Sequence, residues 1–147
     1  MLQYLRSTNS DSIISPQENL RSGSWVRCER PSDEEVSQLL TLGLDEDLIS
    51  DALDPHEVPR IEFDDEWTYL IARLPDTDDD FNDFTTPILF CINKDHIVTL
   101  SRDSLGRLWQ PFIDKVRIRT DRQVELLVAM VEAISTQYQR RVATINR

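Results

Sequence analysis

Residues 85–100 read TTPILFCINKDHIVTL, and residues 60–75 ahead of them read RIEFDDEWTYLIARLP. Both segments alternate or run apolar, and both are rich in β-branched and aromatic side chains that fit a pleated, half-buried surface. Asn93–His96 breaks the first segment as a tight polar turn, and the acidic stretch DTDDDFND, residues 76–83, separates the two segments. They read as antiparallel strands joined by hairpins. A sheet therefore forms the centre of the fold, and the flanking sequence has to cover it.

Upstream, MLQYLR and SWVRCER read as short strands, the second closed by Pro31. In PSDEEVSQLLTLG, Ser32 and Glu35 form a capping box, acids fill the first turn, and Gly43 supplies the C-terminal cap. A short helix then starts near Asp45, buries Leu44, Leu48, Ile49, Ala52 and Leu53, and stops at Pro55. Downstream, Leu105, Leu108 and Trp109 lead into a helix with Pro111 in its first turn and Phe112, Ile113 and Val116 on one side. The last helix runs from about Asp121, with Val124, Leu127, Val131, Ile134, Tyr138 and Ile145 as its apolar stripe. It stops in helical register, so it is expected to continue in a longer protein.

This order of segments predicts an α/β chain: a sandwich with one mixed, largely antiparallel sheet, helices on both faces and a long C-terminal helix. Residues 1–120 are expected to form the sandwich. Residues 121–147 are the start of a long helix packing on the same domain. Trp25, Val36, Leu40, Leu48, Leu53, Tyr69, Ile71, Ile88, Phe90 and Val98 are expected in the core.

At 147 residues the chain is long enough to bury about two thirds of its unfolded surface around a single core. Cys28 and Cys91 lie far apart in apolar strands, without metal-ligand spacing, and read as buried free thiols of a reducing compartment. With 27 acids against 16 bases and a net charge of −11, the chain lacks the basic footprint of a nucleic-acid binder. The N-terminus has no signal-peptide pattern. The longest apolar runs, PILFCI and LLVAMV, are far below the ~20 residues of a bilayer helix.

Motifs for catalysis are absent. With three glycines in the chain there is no phosphate-cradling loop, and there is neither a nucleophile elbow nor an HExxH helix. Asp76, Asp78 and Asp80 imitate the start of a calcium loop, but Phe81 stands where the sharp turn needs Gly and Pro87 where the bidentate Glu belongs. That segment reads as a solvated hairpin tip. His56 and His96, the two histidines, read as turn residues. The remaining feature is LISDALDPHEVPRIE, residues 48–62, where Asp47, Asp51 and Asp54 share one side of a helix. Each such like-charge pair costs roughly 0.2–0.5 kcal/mol unless a cation or base lies between them.

The order WVRCERPSDEEVSQLLTLGL, LISDALDPHEVPRIEFDDEWTYLIARLP, FCINKDHIVTLSRD, PFIDKVRIR and RQVELLVAMVEAISTQYQRR resembles the cytoplasmic domain of the CorA family of divalent-cation transporters. The likeness covers residues 24–147 and is most specific at Asp51–Glu62. It implies an α/β/α sandwich, a long helix toward the membrane and a pentamer in a multi-pass cell-membrane protein. This segment would lie on the cytoplasmic side. Its cation would be Mg²⁺, with Co²⁺ or Zn²⁺ as variants. The resemblance implies Asp51 as main ligand of a regulatory cation, with Glu132 on the last helix as a weaker one, while Asp47 and Asp54 are candidates by their spacing from Asp51. Ser50 and Thr136 replace two acids of the family pattern. The competing reading is a stand-alone acidic α/β protein-binding module or an undetected hydrolase.

Overall fold

The computed structural model describes residues 1–9, 13–77, 80–115 and 117–145. Seven strands form one sheet: β1 (Leu2–Arg6), β2 (Ser15–Gln17), β3 (Ser24–Glu29), β4 (Arg60–Phe63), β5 (Thr68–Thr77), β6 (Asp83–Ile92) and β7 (His96–Ser101). Their spatial order is β2-β1-β3-β7-β6-β5-β4. Every neighbouring pair is antiparallel except β3 and β7, which run parallel with Trp25 beside Ile97 and Val26 beside Val98. The expected mixed, largely antiparallel sheet is present. Ser15–Gln17 is an edge strand that the sequence pattern did not predict, because three residues with a central proline carry no alternation.

Alternation divides the strands between two cores, since successive side chains point to opposite faces. Trp25, Ile97, Phe90, Ile88 and Leu74 face α3 (Gly106–Lys115) and α4 (Gln123–Ile145). Val26, Cys28, Val98, Leu100, Cys91, Leu89, Tyr69 and Ile71 face α1 (Asp33–Thr41) and α2 (Glu46–Ala52). The architecture is thus an α/β/α sandwich. On the α3 side Trp25, Trp109 and Phe112 meet edge-to-face at centroid distances of 5.3–6.0 Å, the geometry that aromatic quadrupoles favour. The Trp25 indole donates to Thr99 Oγ1 at 2.9 Å. Both cysteines are buried free thiols, and burial raises both thiol pKa values, that of Cys28 to about 12.

Local signals hold in α1. Ser32 accepts from the Glu35 amide while the Glu35 carboxylate accepts from the Ser32 amide, so the capping box is complete. Gly43 follows with φ +94° and donates to the Leu40 carbonyl, a left-handed C-terminal stop that a side chain would strain. Of the ten residues expected in the core, Trp25, Leu48, Tyr69, Ile71, Ile88, Phe90 and Val98 are buried. Val36, Leu40 and Leu53 are partly buried at the margin of the α1–α2 core.

Two helical expectations need correction. Pro111 is the sixth residue of α3, not part of its first turn. The helix begins earlier because Leu105, Leu108, Trp109, Phe112 and Ile113 form one buried stripe, which outweighs the hydrogen bond lost at proline. In α4 the buried stripe is Leu126, Met130 and Ile134, whereas Val124, Val131 and Tyr138 are exposed. Val116 and the middle residue of the acidic triplet, Asp78, lie outside the described residues, as does the side chain of Ile145.

One charged pair lies inside the core. Arg27 and Glu29 on β3 are almost fully buried, with Arg27 Nε and Nη2 donating to the two Glu29 carboxylate oxygens at 2.6 and 2.9 Å. Glu29 Oε1 also accepts from the Leu105 amide at 2.9 Å, just ahead of α3. Removing one partner of such a pair strands a buried charge, at about 3–5 kcal/mol, whereas replacing both by apolar groups is close to neutral. Glu29→Ala is therefore expected to lose about 3–5 kcal/mol in urea unfolding, and Arg27→Met/Glu29→Leu to recover most of it. Equal losses in the two variants would refute this account.

Candidate cation-responsive edge

The acidic edge is built at the end of the sheet, where β4 and β5 meet α2. Asp45 is the N-cap of α2 and accepts from the Leu48 amide at 3.1 Å. Its own amide donates to the Tyr69 hydroxyl at 3.0 Å, and that hydroxyl donates to Asp64 Oδ2 at 3.0 Å. Tyr69 thereby ties the start of α2 to the β4–β5 turn. Asp64 shapes that turn by accepting from the Trp67 and Glu66 amides. These bonds, the one from Trp67 foremost, hold its carboxyl below the usual carboxylate range.

Beyond α2 the chain turns through Pro55–Pro59. Asp54 Oδ1 accepts from the His56 amide at 2.9 Å, an Asx-type turn that matches the expected role of His56. Arg73 on β5 clamps the turn by donating to the Glu57 and Pro55 carbonyls at 2.8 and 2.9 Å, and it also donates to Thr85 Oγ1 on β6 at 2.8 Å. This fixes where the segment re-enters the sheet at Arg60.

The structure does not gather Asp47, Asp51 and Asp54 around one point. Asp51, half-buried, accepts from the guanidinium of Arg60, which also pairs with Glu57 and, at 3.1 Å, with Glu62. The Asp51 bond comes first among the influences that raise the pKa of Arg60. Asp47 is exposed. Asp54 holds the turn. Glu132 is exposed on α4, across the sheet from α2. His96 opens β7 with its amide bonded to Asn93 Oδ1 at 2.7 Å, and burial lowers its pKa. Among the described residues no group of three or more His, Cys, Asp and Glu side chains is arranged to hold a metal ion. Arg60, Glu57 and Arg73 organise the edge, and the spacing of Glu57, Arg60 and Glu62 was the available signal for the first two.

Because Tyr69 makes both hydrogen bonds that position α2 against the turn, Tyr69→Phe is expected to cost about 1–3 kcal/mol. Far-UV circular dichroism should stay unchanged while the thermal midpoint falls. A variant as stable as the parent would show that the hydroxyl is dispensable.

Comparison with known proteins bears on this edge and on the whole sandwich. The CorA-like Mg²⁺ transporter protein family matches residues 21–147. The cobalt/magnesium transport protein CorA of Methanocaldococcus jannaschii is 29% identical over 122 residues, covering 79% of this chain and 38% of that protein. The soluble domain of CorA from the same organism superposes with a TM-score of 0.82 at 22% identity, covering 99% of this chain and 60% of that structure. The ZntB cytoplasmic domain from Vibrio parahaemolyticus gives 0.71 at 13% identity, covering 98% and 61%. The chain thus spans under two fifths of the length of the M. jannaschii transport protein. No helix among the described residues is long and apolar enough to cross a membrane. By its match over residues 21–147, the chain belongs to the CorA-like Mg²⁺ transporter family.

Proposed function

We propose that this chain is the cation-sensing part of a longer CorA-like transporter of magnesium, with cobalt or zinc as related cargo. It lies on the cytoplasmic side of the cell membrane, and the longer protein assembles as a pentamer through the membrane region. The role is regulatory and not enzymatic. The family match over residues 21–147 is the observation that carries this reading.

Asp51 is the main ligand in this reading, and its ion pair with Arg60 gives the site a mechanism. Asp51 Oδ2 accepts from Arg60, which keeps Glu57 and Glu62 as alternative partners. A divalent cation competing for Asp51 therefore leaves Arg60 neutralised. Asp47, four residues earlier on the same side of α2 and exposed, adds a second carboxylate toward the solvent. Mg²⁺ demands six oxygens and gives up water reluctantly, so one or two carboxylates hold it weakly and with most of its waters in place. Weak binding suits a sensor of an abundant ion. Neighbouring subunits complete the coordination in the assembled protein. Asp54 and Glu132 are minor contributors, the first because it serves the Pro55–Pro59 turn.

The test is proteolysis of the full-length protein across a magnesium titration. Asp51→Asn is expected to raise the protecting magnesium concentration several-fold without unfolding the domain. Arg60→Gln, which frees Asp51 from its internal partner, is expected to lower it. Protection curves that are identical in the parent and both variants would sink the proposal.

A further inference from the structure

Helix α4 changes character halfway along. Its inward positions are Leu126, Met130 and Ile134 up to the middle and Gln137 and Arg141 beyond it, at spacings of four, four, three and four, so an apolar seam gives way to a polar one. From Ser135 to Thr144 no residue of the helix is buried. Gln137 and Arg141 instead line, with Leu74, Gly106 and Leu108, a cleft of about 490 Å³ between α4, β5 and the start of α3. Tyr138 borders a groove of about 560 Å³ on the β4 side. Polar contacts join this half to the sheet. The Tyr138 hydroxyl donates to the Arg73 carbonyl at 3.0 Å, and Arg141 donates to Thr77 Oγ1 and Asp83 Oδ1 on the β5–β6 hairpin. They lie at the surface, where water competes and such bonds and ion pairs contribute little.

The hairpin that receives this half of the helix is itself loosely laid. Beyond Ile71, where the pairing with β4 ends, β5 is paired with β6. That outer stretch contains Pro75 and faces Pro87, neither of which has an amide to give the ladder. Arg73 stands at its root. By alternation its side chain lies on the α2 side with Tyr69 and Ile71, and it donates to the Pro55 and Glu57 carbonyls. Its own carbonyl takes the Tyr138 bond on the α4 side. One residue thus ties the turn behind α2 to helix α4 through the sheet.

We propose that α4 from Ser135 onward is a hinged arm, latched onto the hairpin by Tyr138 and Arg141, and that Arg73 couples the latch to the Pro55–Pro59 turn so that the two open and close together. Ile134 is the pivot, as the last side chain of the helix fixed in the core. The turn delivers Arg60 to Asp51, so opening the arm loosens the acidic edge. By linkage, tightening the edge closes the arm by the same factor. In the longer transporter the arm leads out of the domain toward the membrane, a step that rests on the proposed function; the coupling itself does not.

Hydrogen exchange of the 147-residue chain, read residue by residue by NMR with a chelator present and no metal added, tests this apart from the cation reading. An unlatched arm frays, since a short unpacked helix is marginal in water. Arg141→Gln and Tyr138→Phe are each expected to speed exchange of the Gln137–Thr144 amides about five-fold and to leave Leu127–Ile134 as it was. Tyr138→Phe should also speed the His56 and Glu57 amides of the turn. Arg73→Met, whose lost hydrogen bonds go to the turn and to Thr85, should in return speed the arm. Arm exchange unchanged by Arg141→Gln and Tyr138→Phe would overturn the latch, and loosening that spreads through Leu127–Ile134 would overturn the hinge. An arm unaffected by Arg73→Met would overturn the coupling, as would a turn unaffected by Tyr138→Phe, a readout that stands even if Arg73→Met does not fold.

Discussion

The parallel pairing of β3 with β7 is the constraint on which the rest of the domain depends. All other neighbours in the sheet are antiparallel and are joined by hairpins or short connections, but β3 and β7 are separated by α1, α2 and three strands. Every residue of β3 is buried and all but the first of β7 are too, as expected of strands covered on both faces. Their register sets Trp25 with Ile97 on one face and Val26 with Val98 on the other. It thereby decides which helices pack where. A slip of one residue would send every side chain to the wrong core. Glu29 reinforces the seam, since it balances Arg27 and holds the amide that opens α3.

That seam fixes the site at a distance. With β7, β6 and β5 laid down in order, α2 packs on the Val26 face over β6 and β7, and Tyr69 is the β5 residue that meets its N-terminus. The acids of the edge are then brought together by topology and kept apart by Arg60. One guanidinium serves Asp51, Glu57 and Glu62, so the cluster keeps an excess of negative charge while none of its members is deeply buried. An exposed cluster of this kind attracts cations without binding them tightly. Salt weakens such pairs.

The sequence disclosed local rules well and long-range ones poorly. The capping box at Ser32 and Glu35, the stop at Gly43, the proline turn and the β5–β6 and β6–β7 hairpins all follow from interactions within a few residues. The parallel seam joins residues more than 70 positions apart and leaves no local trace. Asp47 and Asp51 share a side of α2 as their spacing indicates, but the helix ends at Ala52, so Asp54 falls in the turn beyond it, and Asp51 is taken by a base nine residues away. Spacing gives proximity, not partners. Pro111 misled because a proline is easiest to place at a helix start, whereas here a buried aromatic stripe carries the helix through it.

Helix α4 shows why an apolar stripe in sequence does not say which face meets the core. It has two stripes: the longer Leu126 and Met130, which are not branched at Cβ, fill the space over the sheet with Ile134, and the shorter valines are left outside. Those valines are costly where they stand. Each is a β-branched residue on a helix surface, less favourable than alanine by about half a kcal/mol, and each also exposes apolar area to water. A helix held only by its inner face gains nothing from that pattern, since lysine or glutamate at the same positions would serve both propensity and solubility.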